Sequence, residues 1–464
     1  MERFSIPKGT RDFSTTEINK RNYLIQIIQK EFELFGFFPI ETPSFENIST
    51  LLGKYGKEGE HLMFKILHSG ISLKKEKDTS FIIRSLLMNK IYNKALRYDL
   101  TVPFVRYVAM HRNEISFPFK KYQIQPVWRA EKPQKGRFRE FYQCDADIIG
   151  SSSLSLWTEI EFIQLCEKIF TKLNLPIIIN INHRDILGGL AEISGIENDL
   201  WKNFTTSLDK WDKKGKHVVK KEMLQKGISL KSFEKIEMYL DIKGDFVEKK
   251  KYINTAFQYS KKGKNGLKDL NFIFHQIKNF SLKQIKLEWN ITLARGLNYY
   301  TGTIFEILPR IGYNDFSKNS IGGGGRYDQL ASCFGMKNIS GIGVSFGLDR
   351  IYLVMEKENL FKKNFSEISS RVLFINFGNE EVLYAYNMIN FLRKKGISTQ
   401  LYPDAVKINK QFRYANKNNI PFVISIGKNE IENNKIRVKN IKEGIEIEYN
   451  NIYEIAHQLL SFVS

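Results

Sequence analysis

Val127-Trp128-Arg129-Ala130-Glu131-Lys132-Pro133 leads, after two residues, into Gly136-Arg137-Phe138-Arg139-Glu140-Phe141-Tyr142-Gln143. The β-branched and aromatic residues of 119–128 and 138–149 predict two strands, and the segment between them a basic loop. An arginine where a strand enters such a loop suits a triphosphate, because its planar fork matches two phosphate oxygens. Taken alone, the same stretch also reads as a salt-bridged surface hairpin.

Outward from this hairpin, residues 17–38 carry Ile18, Tyr23, Leu24, Ile27, Ile28, Phe32, Leu34 and Phe35 at helical spacing, with Gly36 as the stop. Strands are expected at 81–85, 95–99, within 286–308 and at 340–347, and a helix at 154–173. Residues 190–284 are lysine-rich and helical in pattern. The basic stretch Lys213 to Lys221 reads as a solvated helix face, with RNA contact as the alternative. After a polar linker near 361–370, strands at 371–377, 398–402 and 421–426 alternate with helices at 380–395 and 406–418. Two short strands and a last helix follow. This alternation predicts a small α/β domain with a largely parallel sheet.

Hydrophobic residues make up 42% and charged residues 26% of the 464, which excludes a disordered chain and leaves room for two or three domains. The formal net charge of +21 suits a polyanionic partner, and equally an AT-biased coding sequence. Three separated cysteines, Cys144, Cys166 and Cys333, form no CxxC pair, so no zinc knuckle or disulfide framework is expected. No apolar run has the length of a membrane span and no leader is evident, so a cytoplasmic location is expected. GxxxxGK[ST] is absent, as is a GxGxxG between strand and helix. Lys407-Ile408-Asn409-Lys410 has no HIGH-type partner and reads as surface charge.

Two further arginine-bearing segments stand out. Leu293-Ala294-Arg295-Gly296-Leu297-Asn298-Tyr299-Tyr300 sets two tyrosines on extended chain, where they would face opposite sides, one packing and one meeting a ligand. Gly341-Ile342-Gly343-Val344-Ser345-Phe346-Gly347-Leu348-Asp349-Arg350 lets a flat base approach a strand of small residues, with Arg350 in the first turn of the next helix. Gly322 to Gly325, ahead of Arg326-Tyr327-Asp328, suggests either close backbone approach or a flexible turn.

In this order and spacing the segments resemble class II aminoacyl-tRNA synthetases, specifically the histidyl-tRNA synthetase family. Pro7 to Phe13 is similar to that family's opening, Phe37 to Pro43 to motif 1, residues 122–149 to motif 2 and residues 341–351 to motif 3. Arg295 to Tyr300 and Gly323 to Asp328 resemble its two signatures, and Leu96-Arg97-Tyr98-Asp99-Leu100-Thr101 its amino-acid-binding strand. Asn298 stands where the family usually has Asp, and Gln329 where it usually has Gly.

The resemblance implies an α+β catalytic domain with a mostly antiparallel sheet over 1–185 and 285–365. It also implies a helical insertion over 186–284 and a C-terminal α/β anticodon-binding domain over 370–464. It implies activation of L-histidine with ATP and Mg²⁺ and transfer to tRNA(His), by a homodimer with no membrane attachment. The implied catalytic residues are Arg295 and Arg129. Those for ATP are Arg129, Glu131 and Arg350. Those for histidine are Asp99, Leu100, Thr101, Gln143, Asp147, Tyr299 and Tyr300, with Asp147 meeting the α-ammonium. The alternative is a synthetase-like regulatory or uncharged-tRNA-sensing protein without aminoacylation activity.

Overall fold

The computed structural model describes residues 4–67, 92–151, 153–295, 299–310, 319–361 and 371–461. The strand expected at 81–85, nearly all of the linker near 361–370, and Asn298 lie outside these residues. The chain forms two compact units, one mainly Glu17–Lys362 and the other mainly Lys363–Ser464.

Sixteen strands are assigned among the described residues. In the first unit they are β1 Phe38–Pro39, β2 Phe45–Asn47, β3 Lys65–Leu67, β4 Tyr92–Leu96, β5 Phe119–Trp128, β6 Glu140–Ser151, β7 Ile177–His183, β8 Ile285–Trp289, β9 Thr303–Pro309, β10 Gly322–Arg326 and β11 Ile339–Gly347. Eight form one sheet in the order β1-β5-β6-β11-β10-β9-β7-β8. Only the outer pairs, β1 with β5 and β7 with β8, are parallel. The strands β2, β4 and β3 make a small second sheet.

The helix Thr15–Leu34 buries Leu24, Ile28 and Phe32, spaced four apart, on one face. The Phe32 ring packs among Phe37, Tyr122 and Phe346, which fixes the helix against one face of the sheet. The chain leaves this helix through Gly36 at φ +78, a backbone region open to glycine.

Between β7 and β8 the chain is helical, including Arg184–Ser194, Lys216–Gln225, Leu230–Leu240 and Lys261–Ile277. β7 and β8 are neighbours, so this excursion begins and ends on adjacent strands. Its buried residues, such as Leu190, Phe204, Phe233 and Leu270, join one apolar cluster with Ile179 and Phe346 of the sheet. Lys213, Lys214, Lys216 and Lys221 are exposed, as a solvated face requires.

The second unit has β12 Val372–Phe374, β13 Thr399–Leu401, β14 Phe422–Ser425, β15 Ile436–Asn440 and β16 Glu446–Tyr449, in the order β13-β12-β14-β15-β16. The expected largely parallel sheet is half of each kind. β12 pairs in parallel with β13 and β14, whereas β15 and β16 are antiparallel additions. Both faces of β12 are buried: Val372 and Phe374 join one apolar cluster, Leu373 and Ile375 another. That explains its unbroken apolar sequence.

Candidate active site

Sheet register builds the site. Residues opposite one another on neighbouring strands share a face. One row across five strands is Gln123, Asp145, Ser345, Gly323 and Glu306. The next is Lys121, Asp147, Gly343 and Gly325. A cavity of about 700 Å³ opens beside these rows.

Arg129, Arg295 and Arg350, far apart in sequence, all line that one cavity. Arg129 leaves the end of β5. Its Nε donates to the Tyr98 carbonyl at 3.1 Å and its guanidinium lies 4.3 Å from the centre of the Tyr98 ring. Arg350 donates from Nε to the Gly136 carbonyl at 3.0 Å and from Nη1 to the Ser320 carbonyl at 2.6 Å. Arg295 donates from Nη1 to the Phe305 carbonyl at 2.6 Å. A guanidinium has five N–H donors, so one or two carbonyl contacts orient it without exhausting it.

Gly322–Arg326 is a central strand, so of the two readings of its glycines close backbone approach holds and the flexible turn does not. Its glycines are there for space. A Cβ on Gly323 would stand 1.5 Å from Nη1 of Arg295, and one on Gly324 would stand 2.0 Å from the Gly343 carbonyl oxygen. Arg295 itself has φ +45. The other non-glycine residues at positive φ among those described are all asparagines, the side chain that tolerates this region best. A strained backbone held by its surroundings is common where function fixes a side chain.

The charge is divided. Burial pushes the Arg350 guanidinium down to about 10, and the neighbouring charges of Arg137, Arg129 and Arg295 act in the same direction. The part of the cavity around these groups therefore favours a polyanion. The floor is acidic. Burial raises Asp99 above the usual carboxylate range, and burial with the adjacent Asp147 raises Asp145 well above it. Asp99 accepts from the Tyr55 hydroxyl at 2.9 Å, the Tyr299 hydroxyl at 3.2 Å and the Val102 amide at 3.1 Å.

Asp147, expected to meet an α-ammonium, lines the cavity. Its Oδ1 accepts from the Tyr327 hydroxyl at 2.6 Å, and its Oδ2 lies 3.0 Å from Nζ of the fully buried Lys121. Thr101, Gln143 and Glu131 also line the cavity. Leu100 does not reach it. Its side chain is fully buried, and its carbonyl takes the Gln123 amide at 3.1 Å. Tyr299 and Tyr300 do not face opposite sides. The chain turns at Tyr299, both phenols line the cavity, and their rings lie 4.8 Å apart.

Arg326 faces away from the cavity, forked onto buried Glu159 at 2.9 and 2.8 Å. Gln329 is exposed in a turn and does not line the cavity. Asp349 takes Arg11 and Arg21 at 2.5 Å each and the Tyr142 amide at 2.8 Å, which fixes the turn that carries Arg350.

Sequence reasoning passed over Tyr55, Lys121, Asp145 and Ser345, and did not single out Tyr327 as a site residue. Asp145 was detectable: Gln143, Asp145 and Asp147 alternate along one strand and must share a face. Lys121 needed the register, and Tyr55 offered no signal.

A family model described as histidyl-tRNA synthetase matches residues 92–351, and one described as an anticodon binding domain matches residues 371–459. The histidine–tRNA ligase of Christiangramia forsetii is 54% identical over 443 residues, covering 95% of this chain and 96% of that one. That of Flavobacterium johnsoniae is 49% identical, with 96% of each chain covered. The crystal structure of histidyl-tRNA synthetase from Nostoc superposes with a TM-score of 0.77 at 27% identity, over 99% of this chain and 100% of that one.

Proposed function

The chain belongs to the histidyl-tRNA synthetase family, and from that premise we propose how its residues divide the work of activating histidine. It forms histidyl-adenylate from ATP and L-histidine and transfers the histidine to the 3′ end of tRNA(His). In the first step a carboxylate oxygen of histidine bonds to the α-phosphorus of ATP, and pyrophosphate leaves with the bridging oxygen. In the second, a hydroxyl of the terminal tRNA ribose attacks the adenylate carbonyl, and AMP leaves.

Two anions must meet in the first step, and negative charge builds on the α-phosphoryl oxygens. Arg129 holds the α-phosphate. Arg350 stacks on adenine and grips the γ-phosphate. Arg295, seated on Gly323, stabilises the α-phosphate as it is attacked. Asp99, Thr101, Gln143, Tyr299 and Tyr300 surround the amino acid. Asp147, its charge offset by Lys121, accepts an imidazole N–H. An amino acid lacking that group would leave the buried acceptor unpaired, which is how such a site rejects competitors.

The observation that carries this reading is the closure of three distant arginines on one cavity with an acidic floor. A regulatory or uncharged-tRNA-sensing protein would tolerate loss of those arginines, and all three are retained.

Among the described residues no three acidic, histidine or cysteine side chains converge on a metal-sized site. Mg²⁺ would reach the site with ATP, and Glu131 is a cavity-lining carboxylate able to hold it. Bound there, the ion offsets phosphate charge.

The second unit takes the anticodon, with bases read by their edges and stacking. A homodimer through Phe37 to Pro43 accords with β1 being an edge strand on which Phe38 is exposed. The free, buried thiols of Cys144 and Cys166 accord with a reducing cytoplasm.

The test is exchange of pyrophosphate into ATP. Exchange should depend on histidine and fall by at least ~10²-fold in Arg295→Ala. Better exchange with proline or threonine would refute the specificity, and none with any amino acid would refute the activity.

A further inference from the structure

Arg184 is a largely desolvated cation that the mechanism above does not use. It opens the helix Arg184–Ser194, where the helical excursion leaves β7. Burial pushes its guanidinium down to about 10, and among the described residues no carboxylate offsets that burial. It does not line the cavity. Its guanidinium lies 5.1 Å from the centre of the Trp201 ring, and its Nη1 donates to the Ala294 carbonyl at 3.2 Å. A desolvated guanidinium is costly to keep, so that hydrogen bond calls for a reason.

Ala294 precedes Arg295. Its carbonyl belongs to the peptide plane from which φ of Arg295 is measured, and that φ is +45. Such a backbone persists only where its surroundings over-determine it. Here both ends of the residue are held. The side chain ends on the Phe305 carbonyl at 2.6 Å, in the space that a Cβ of Gly323 would take. The backbone end is held by Arg184.

From Asn290 to Arg295 the chain is neither strand nor helix, so it has no ladder of its own. Side chains supply the bonds instead. Asn182, fully buried near the end of β7, donates from Nδ2 to the Ile291 carbonyl at 3.0 Å and to the Leu293 carbonyl at 2.9 Å. The excursion adds contacts from three of its helices. Arg184 takes Ala294. Asp212, in Trp211–Lys214, accepts from Asn290 Nδ2 at 2.8 Å and from the Thr292 hydroxyl at 3.1 Å. Lys249, in Phe246–Ala256, donates to the Trp289 carbonyl at 2.7 Å.

We propose that Arg184 is a positioning residue for Arg295, and that the helical excursion, through Arg184 and Asp212, holds the backbone that aims this guanidinium at the α-phosphate. This rests on the role given to Arg295 above. Without Arg184 the Ala294 peptide is free to turn. Arg295 can then relax to negative φ, which swings its Cα–Cβ bond off the line to Gly323.

The test uses the full chain in the exchange assay. Arg184→Met keeps most of the stem and removes the donors. Arg295 acts on charge that develops during attack. The kcat should therefore fall at least ~10-fold, while the KM values for histidine and ATP stay within about twofold. Arg184→Lys keeps a donor for the carbonyl and should recover most of the loss. A double variant separates positioning from general damage. In an Arg295→Ala background, Arg184→Met should change kcat by less than about twofold, because nothing remains to be aimed. Should Arg184→Met fold poorly, Asp212→Ala, at an exposed position, is read in the same two backgrounds.

An equal loss in both backgrounds overturns the inference, as does an undiminished kcat in folded Arg184→Met protein or a loss confined to KM. Full exchange by Arg295→Ala, or none by the unaltered protein, would instead overturn the function on which it rests.

Discussion

Residue by residue, the cavity depends on side chains that are absent as much as on those present. Arg295 occupies the volume where Gly323 would otherwise carry a Cβ, at a separation of 1.5 Å. Gly323→Ala should expel the guanidinium and lower the exchange rate by ~10²- to 10³-fold, as loss of a transition-state donor does. The circular dichroism spectrum should persist, and an unimpaired rate would show that Arg295 acts from elsewhere. Tyr299 and Tyr300 carry the opposite lesson. Alternation along extended chain assigned them to opposite faces, but the chain turns there and both phenols reach one space. Periodicity holds only while an element lasts.

At the level of elements, strands and helices with strong patterns were legible in the sequence. The strand expected at 119–128 is β5 residue for residue. The helices expected at 154–173 and 380–395 are observed at Trp157–Lys172 and Asn379–Lys394. The glycine strand β10 was not legible, because glycine lacks the side-chain pattern that marks a strand and its neighbours alone hold it there. Polar anchoring within the helical excursion was also invisible. Glu222 accepts from Lys210 and Lys226 at 2.6 Å each and from Ser207 at 3.2 Å, joining separate helices. Burial works against its charge, but the hydrogen bonds and charges of the two lysines outweigh it and push Glu222 down to about 2. A carboxyl depressed in the folded state contributes stability above its unfolded value and loses it as pH falls through the folded one. The melting-temperature difference between the unaltered protein and Glu222→Gln should thus be complete at neutral pH. It should shrink from about pH 4.5 toward about 2. A constant difference across that range would remove the ionic contribution.

For the whole molecule, the net charge of +21 becomes interpretable once a synthetase core and an anticodon-binding unit are in view. Binding of tRNA(His) should release counterions. If six or more phosphates are engaged, affinity should fall by about 10³-fold between roughly 50 and 200 mM salt. A flat response in a filter-binding titration would refute a phosphate-dominated interface. Composition alone left this charge ambiguous, since charge has no position until the chain folds. The sequence by itself determined the strongly patterned elements, their order, the family and the three arginines, because local pattern and ordered motifs are properties of the chain. Tertiary structure decided which acceptors were already used. Lys121 meets Asp147 only through the pairing of β5 with β6. Burial and ionic pairing arise between segments distant in sequence, so no local pattern encodes them.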